Sequence, residues 1–194
     1  MKKKNFLMMA SVSLLAAAAT LCACDKDENE NGGDASPISG NTITITVEDG
    51  ASYADQVDEV RLTGISDDDY IASSSYTNGS FTINLPASVD DKHLSSVSLY
   101  FGIAGISASA KMNDAHLYAY KSGKQVGRIY HGTQEWDGML EYANEDVNIT
   151  GSSNKSTYSC NLKKGWNMWY VKRMETSREY ATKAPSGAKW IYEP

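Results

Sequence analysis

From residue 42 onward apolar residues alternate with polar ones, and no stretch sustains the period of about 3.6 that an amphipathic helix requires. A period of two sends successive side chains to opposite faces of an extended chain, so this pattern restricts the chain to strands. In residues 42–47, Ile43, Ile45 and Val47 share one face and threonines occupy most of the other. In 57–63, Val60 and Leu62 point inward, while Glu59 and Arg61 point outward. Tyr158, Cys160 and Leu162 repeat the pattern. Residues 166–173 differ, with Trp166, Met168 and Tyr170 on one face and Trp169 and Val171 on the other. Two apolar faces mark a central strand, or one whose second face meets a partner.

The turns between strands are equally legible. Asn78 and Gly79 supply the positive φ angles of a two-residue hairpin between 70–76 and 81–85. That hairpin sets Tyr76 opposite Phe81 and Ser74 opposite Ile83. Ser122 and Gly123 join 115–120 to 125–131 in a register that puts Tyr118 opposite Gly127, where the ring covers a missing side chain. Further strands are expected at 97–106, with a bulge near Gly102, and at 136–142, 147–150, 179–183 and 188–192. A helical turn is expected at 90–95, with loops at 107–113 and 151–155. About eleven short strands predict an all-β fold, an antiparallel two-sheet β-sandwich of Ig-like or Greek-key type. No repeat of fixed period points to a propeller or solenoid.

The first residues have another character. Lys2, Lys3 and Lys4 precede an uncharged apolar run over 6–21, the layout of a secretory signal and short for a membrane span. Leu21, Ala23 and Cys24 resemble the bacterial lipobox. The resemblance implies diacylglycerol on Cys24, cleavage after Ala23 and acylation of the new amino group. Cys22 fits the pattern less well, because the large Leu21 stands directly before it. Asp25, Lys26, Asp27 and Glu28, followed by Asn29 and Glu30, resemble the export signal of Bacteroidota surface lipoproteins. That resemblance implies a lipid-anchored protein of the outer membrane, facing the extracellular side. The expected organisation is a signal peptide over 1–23, a lipidated cysteine and an acidic, Gly-rich tether over 24–41, and one β-sandwich domain over 42–194.

Charge narrows the partners. The formal net charge is −6, and removing three lysines with residues 1–23 takes it to −9. Nucleic acid and anionic headgroups need clustered Lys and Arg, so neither is an expected partner. Membrane contact is assigned to the acyl chains on Cys24, since two or more chains anchor a protein stably.

Motifs for catalysis or metal binding are lacking. His93, His116 and His131 are widely spaced, without an HExxH or CxxC pattern, so no metal or other cofactor is expected. His116 and His131 would meet only on one hairpin face. Asp67, Asp68 and Asp69 lack the spaced oxygens of a calcium loop. Ser152 and Lys155 match SxxK, but in a polar loop without the accessory motifs. Cys160 reads as a buried, inert thiol. Among Glu135, Asp137 and Glu141, the last two share a strand face, but roughly 13 Å apart, too far for an acid–base pair. The expectation is a protein that is not an enzyme.

The surplus is aromatic: Trp136, Trp166, Trp169 and Trp190 all fall in the last third of the chain. Aromatic faces stack on sugar rings and recur at protein interfaces. His116, Tyr118 and Tyr120 share an outward face. With Trp169 they form the candidate ligand platform. The expected function is a non-catalytic surface lipoprotein that binds an extracellular glycan or a protein partner. The alternative is a structural or accessory component of an envelope or fimbria-like assembly, which a groove awaiting a donated strand would favour.

Overall fold

The computed structural model describes residues 38, 40–64, 69–97 and 106–194. The lipobox Cys24, the export-signal residues Asp25, Lys26, Asp27 and Glu28, and all but the ends of the expected strand at 97–106 lie outside the described residues. Within them the strands are β1 Thr42–Thr46, β2 Glu59–Thr63, β3 Tyr70–Ser75, β4 Ser80–Asn84, β5 Ser95–Ser96, β6 Lys111–Met112 and β7 His116–Lys121. They continue with β8 Lys124–Gly132, β9 Trp136–Ala143, β10 Val147–Ser153, β11 Ser156–Leu162, β12 Gly165–Arg173, β13 Arg178–Ala181 and β14 Lys189–Glu193. Short 3-10 turns occur at Gly50–Tyr53 and Asp91–His93, the second within the expected helical turn.

The protein is an all-β sandwich of two unequal sheets. β1 and β4 form the small one. The large one runs β10-β11-β13-β12-β9-β8-β7-β2-β3, with β14 added to β8, β6 to β9 and β5 to β6. Among the described residues every ladder is antiparallel except β11–β13, which is parallel. Ile45, Phe81 and Ile83 of the small sheet share a core with Val60, Leu62, Leu117 and Leu140 of the large one. Each such side chain stabilises the fold by about 1.5–3 kcal/mol when fully buried. A second core forms on the opposite face of β9 and β12, where Met139, Ala143 and Trp169 meet Ile149, Cys160 and Leu162. β12 is therefore buried on both sides, as its two apolar faces require, and lies between β9 and β13.

Local signals and long-range pairing diverge at two turns. Asn78 and Gly79 adopt φ 48° and 86°, and the Tyr76 and Phe81 rings lie 6.3 Å apart. Yet beyond the Thr77–Ser80 bridge the two strands part. Ser74 pairs with Val60 of β2, and Ile83 with Ile43 of β1. The turn is a corner between the sheets, not the tip of a long hairpin. At Ser122 and Gly123 the hairpin does form, but a bulge shifts its register. Tyr118 consequently faces Arg128, and Gly127 faces Ala119. The ring that covers Gly127 is that of Tyr192, and Gly138 is covered likewise by Tyr170, its partner on β12.

Two expected loops also carry strand. Lys111–Met112 forms β6 within 107–113, and β10 runs on to Ser153 before a turn at Asn154 and Lys155, both at positive φ. Ser152 of the SxxK match bonds to Thr157 across this hairpin. Cys160 is buried, and desolvation pushes its thiol up to about 12, which keeps it protonated and inert.

Candidate functional site

The stretch from Ser109 to Asn113, which contains β6, is stitched to the end of β9 by two asparagines. Asn113 Oδ1 accepts from Tyr142 N at 2.7 Å, and Asn113 N donates to Tyr142 O at 3.1 Å. Asn144 Oδ1 accepts from Lys111 N at 2.7 Å, and its Nδ2 donates to Ser109 O. Asn is suited to this role because one amide both accepts and donates. The stitching sets Asn113 and Asp114 against Glu141, on the β9 face that carries the second core.

A cavity of about 490 Å³ opens here, within the usual size of small-molecule sites. Asn113, Asp114, His116, Tyr118, Glu141, Trp169, Arg173, Arg178 and Tyr180 are among its lining residues. Its aromatic wall is layered. Trp169 lies 5.4 Å from Tyr180, which stacks on Tyr158 at 5.0 Å with 12° between planes. His116 Nε2 lies 3.3 Å from Asp114 Oδ1, and its ring is 5.9 Å from that of Tyr118.

Two polar groups at this cavity are unusual. Glu141 is 1% exposed and Asn113 2% exposed, yet Glu141 Oε1 and Asn113 Nδ2 have no hydrogen-bond partner among the described residues. A buried unsatisfied group costs about 1–3 kcal/mol, and such groups are rare in native folds. Burial, and secondarily the charge of Asp114, holds the Glu141 carboxyl well above the usual carboxylate range. Protonated, it both donates and accepts.

The expected platform is thus partly assembled and partly redirected. His116, Tyr118 and Trp169 line one cavity, but not as an exposed ridge. Trp169 is 3% exposed, because β12 is central and its second face is covered by the second core. Tyr120 is 6% exposed and lies under the Arg61 guanidinium, 4.1 Å from its ring centroid, while Tyr70 lies 5.1 Å from the same guanidinium. It does not line the cavity. His116 and His131 do not meet: His131 turns to the opposite face, bonding Tyr170 Oη through Nδ1 at 2.8 Å. Glu135, Asp137 and Glu141 do not converge either. Glu135 pairs with Lys172 at 2.6 Å and Asp137 with Arg128 at 2.6 Å, outside the Glu141 cavity. Among the described residues, no group of three or more His, Cys, Asp or Glu is arranged to hold a metal ion.

Sequence reading missed Asn113, Asp114, Arg178 and Tyr180 as site residues. The signal that marks the place is Glu141, a lone charge in the otherwise apolar run Met139, Leu140, Tyr142, Ala143. No family model, curated protein or solved structure matches the chain.

Proposed function

We propose that this chain is a lipid-anchored lipoprotein of the outer membrane, facing outward, whose β-sandwich binds a saccharide without turning it over. The anchor rests on Cys24 and the charged residues after it. The ligand class rests on one observation: among the described residues, Glu141 Oε1 and Asn113 Nδ2 stand unpaired at a cavity walled by Trp169, Tyr118 and Tyr180. A sugar ring offers what this wall lacks. Its C–H face packs on aromatic rings, and its hydroxyls donate to and accept from amide and carboxyl groups. Binding is tested with the full chain in detergent micelles on an array of neutral and acidic glycans. Saccharide binding that Asn113→Ala weakens supports the proposal; absence of binding at high protein concentration rejects it.

A second reading is favoured by the charge pattern at the same cavity. A carboxyl held protonated beside an ionisable one, as Glu141 is beside Asp114, is also how acid–base hydrolases divide their roles. Chromatography of a bound oligosaccharide after prolonged incubation separates the two. Shortened products favour the hydrolase, and intact ligand favours the binder.

A further inference from the structure

Three concavities lie side by side on the large sheet and share walls. The Glu141 cavity and a second of about 400 Å³ have Tyr118 in common. The second and a third of about 420 Å³ share Arg128 and Glu193, and the third and first share Val171 and Arg173. Together they form one continuous trough. From Tyr180 on β13 to Tyr130 on β8 it crosses β12 and β9, three strand spacings or roughly 14 Å. That length suits a short chain of sugars better than one ring. Half-buried aromatic rings stand at both ends, Tyr180 at the first cavity and Tyr130 at the third.

The trough is electrically balanced. Its lining carries four permanent cations, Arg128, Lys172, Arg173 and Arg178, against four carboxylates, Asp114, Glu135, Asp137 and Glu193. Burial keeps Glu141 toward its neutral form. Opposite charges are also paired locally. Arg128 bridges Asp137 at 2.6 Å and Glu193 at 2.5 Å, Lys172 reaches Glu135 at 2.6 Å, and Arg173 lies 4.0 Å from Asp137. A polyanion would have to displace these carboxylates from their cations, and a polycation the reverse. A neutral polyhydroxyl chain can hydrogen-bond to both partners of each pair without separating them.

We propose that the occupant of this trough is a neutral oligosaccharide, with one unit in the Glu141 cavity and a later unit against Tyr130. The proposal rests on the saccharide reading of that cavity and adds the ligand's length and charge. The test is isothermal titration of the full chain in detergent micelles with neutral gluco-, xylo- and manno-oligosaccharides of one to six units. Oligogalacturonates of the same lengths form the acidic arm. In the neutral series that binds, affinity rises roughly tenfold from one unit to four. Tyr130→Ser, and the exposed Gln134→Ala, each weaken the tetrasaccharide by roughly fivefold or more and leave the monosaccharide unchanged, whereas Asn113→Ala weakens both. Equal affinity for one and four units, tighter binding of oligogalacturonates, or no effect of Tyr130→Ser and Gln134→Ala on the tetrasaccharide overturns the extended neutral ligand while leaving the saccharide reading in place. If no saccharide of any series or length binds, the saccharide reading falls, and this one with it.

Discussion

Asn113 and Tyr142 hold each other through two hydrogen bonds: Tyr142 N donates to Asn113 Oδ1 at 2.7 Å, and Asn113 N donates to Tyr142 O at 3.1 Å. The pair closes the cavity beside Glu141 and leaves Asn113 Nδ2 without a partner among the described residues. One amide therefore serves both the fold and the site. Asn113→Ala strands the buried Tyr142 N–H, so it should destabilise the protein by about 1–3 kcal/mol as well as weaken ligand binding. Urea unfolding measures the first effect. A variant as stable as the parent would show that the clamp is redundant.

Glu141 gives stability a pH dependence of known sign. Its folded-state pKa is raised above the usual 4.5, by burial first and then by Asp114; Cys160, also facing it, is itself kept neutral by burial. The folded state thus holds a proton that the unfolded state releases. The contribution is fully present below pH 4.5 and is lost as pH rises from there through the folded pKa. Glu141→Gln cannot ionise. Relative to the parent, it should gain stability steadily as pH rises above 4.5, in unfolding titrations between pH 4 and 9. A pH-independent difference between the two proteins would contradict this.

Gly138 gives Tyr170 its place. A Cβ there would come within 2.3 Å of His131 O and 2.5 Å of the Tyr170 ring. Neither neighbour is free to move: His131 belongs to the β8–β9 ladder, and Tyr170 Oη is bonded to His131 Nδ1 at 2.8 Å. Gly138→Ala should destabilise by about 1–3 kcal/mol through overpacking. Gly123→Ala, where a Cβ meets nothing within 4 Å, should act only through its positive φ and cost about 1 kcal/mol. Thermal denaturation of both variants tests the ranking, and the reverse order would refute it.

Cys24→Ala removes the proposed lipid attachment. The variant should leave the membrane fraction and stop incorporating radiolabelled palmitate, with the folded domain's far-ultraviolet dichroism unchanged. Undiminished labelling and membrane association would reject the anchor.

Much of the fold was readable from local pattern. The alternation in 42–47 and 158–162 identifies the inward residues of β1 and β11, because side-chain direction in a strand depends only on parity. The two apolar faces of β12 marked it as central or as meeting a partner, and it lies between β9 and β13. The site was harder to read. Asn113 ends the small, polar stretch 107–113 that reads as loop, Asp114 follows it, and nothing local says that they meet β9 some thirty residues on. Whether Trp169 lay under cover or faced a partner stayed open, because its cover, Ile149, Cys160 and Leu162, comes from β10 and β11.

By itself the sequence determined the all-β class, the strand faces, and the positive-φ turns at Asn78–Gly79 and Ser122–Gly123. These follow from sterics and hydrophobic period within a few adjacent residues. Only the tertiary structure decided that β3 and β4 enter different sheets, that a bulge sets Tyr118 opposite Arg128, and that Asn113, Asp114 and Glu141 meet beside Trp169. Strand partners are chosen by burial across long separations. That choice balances many alternative pairings of similar local quality, so it is settled only when the whole core packs.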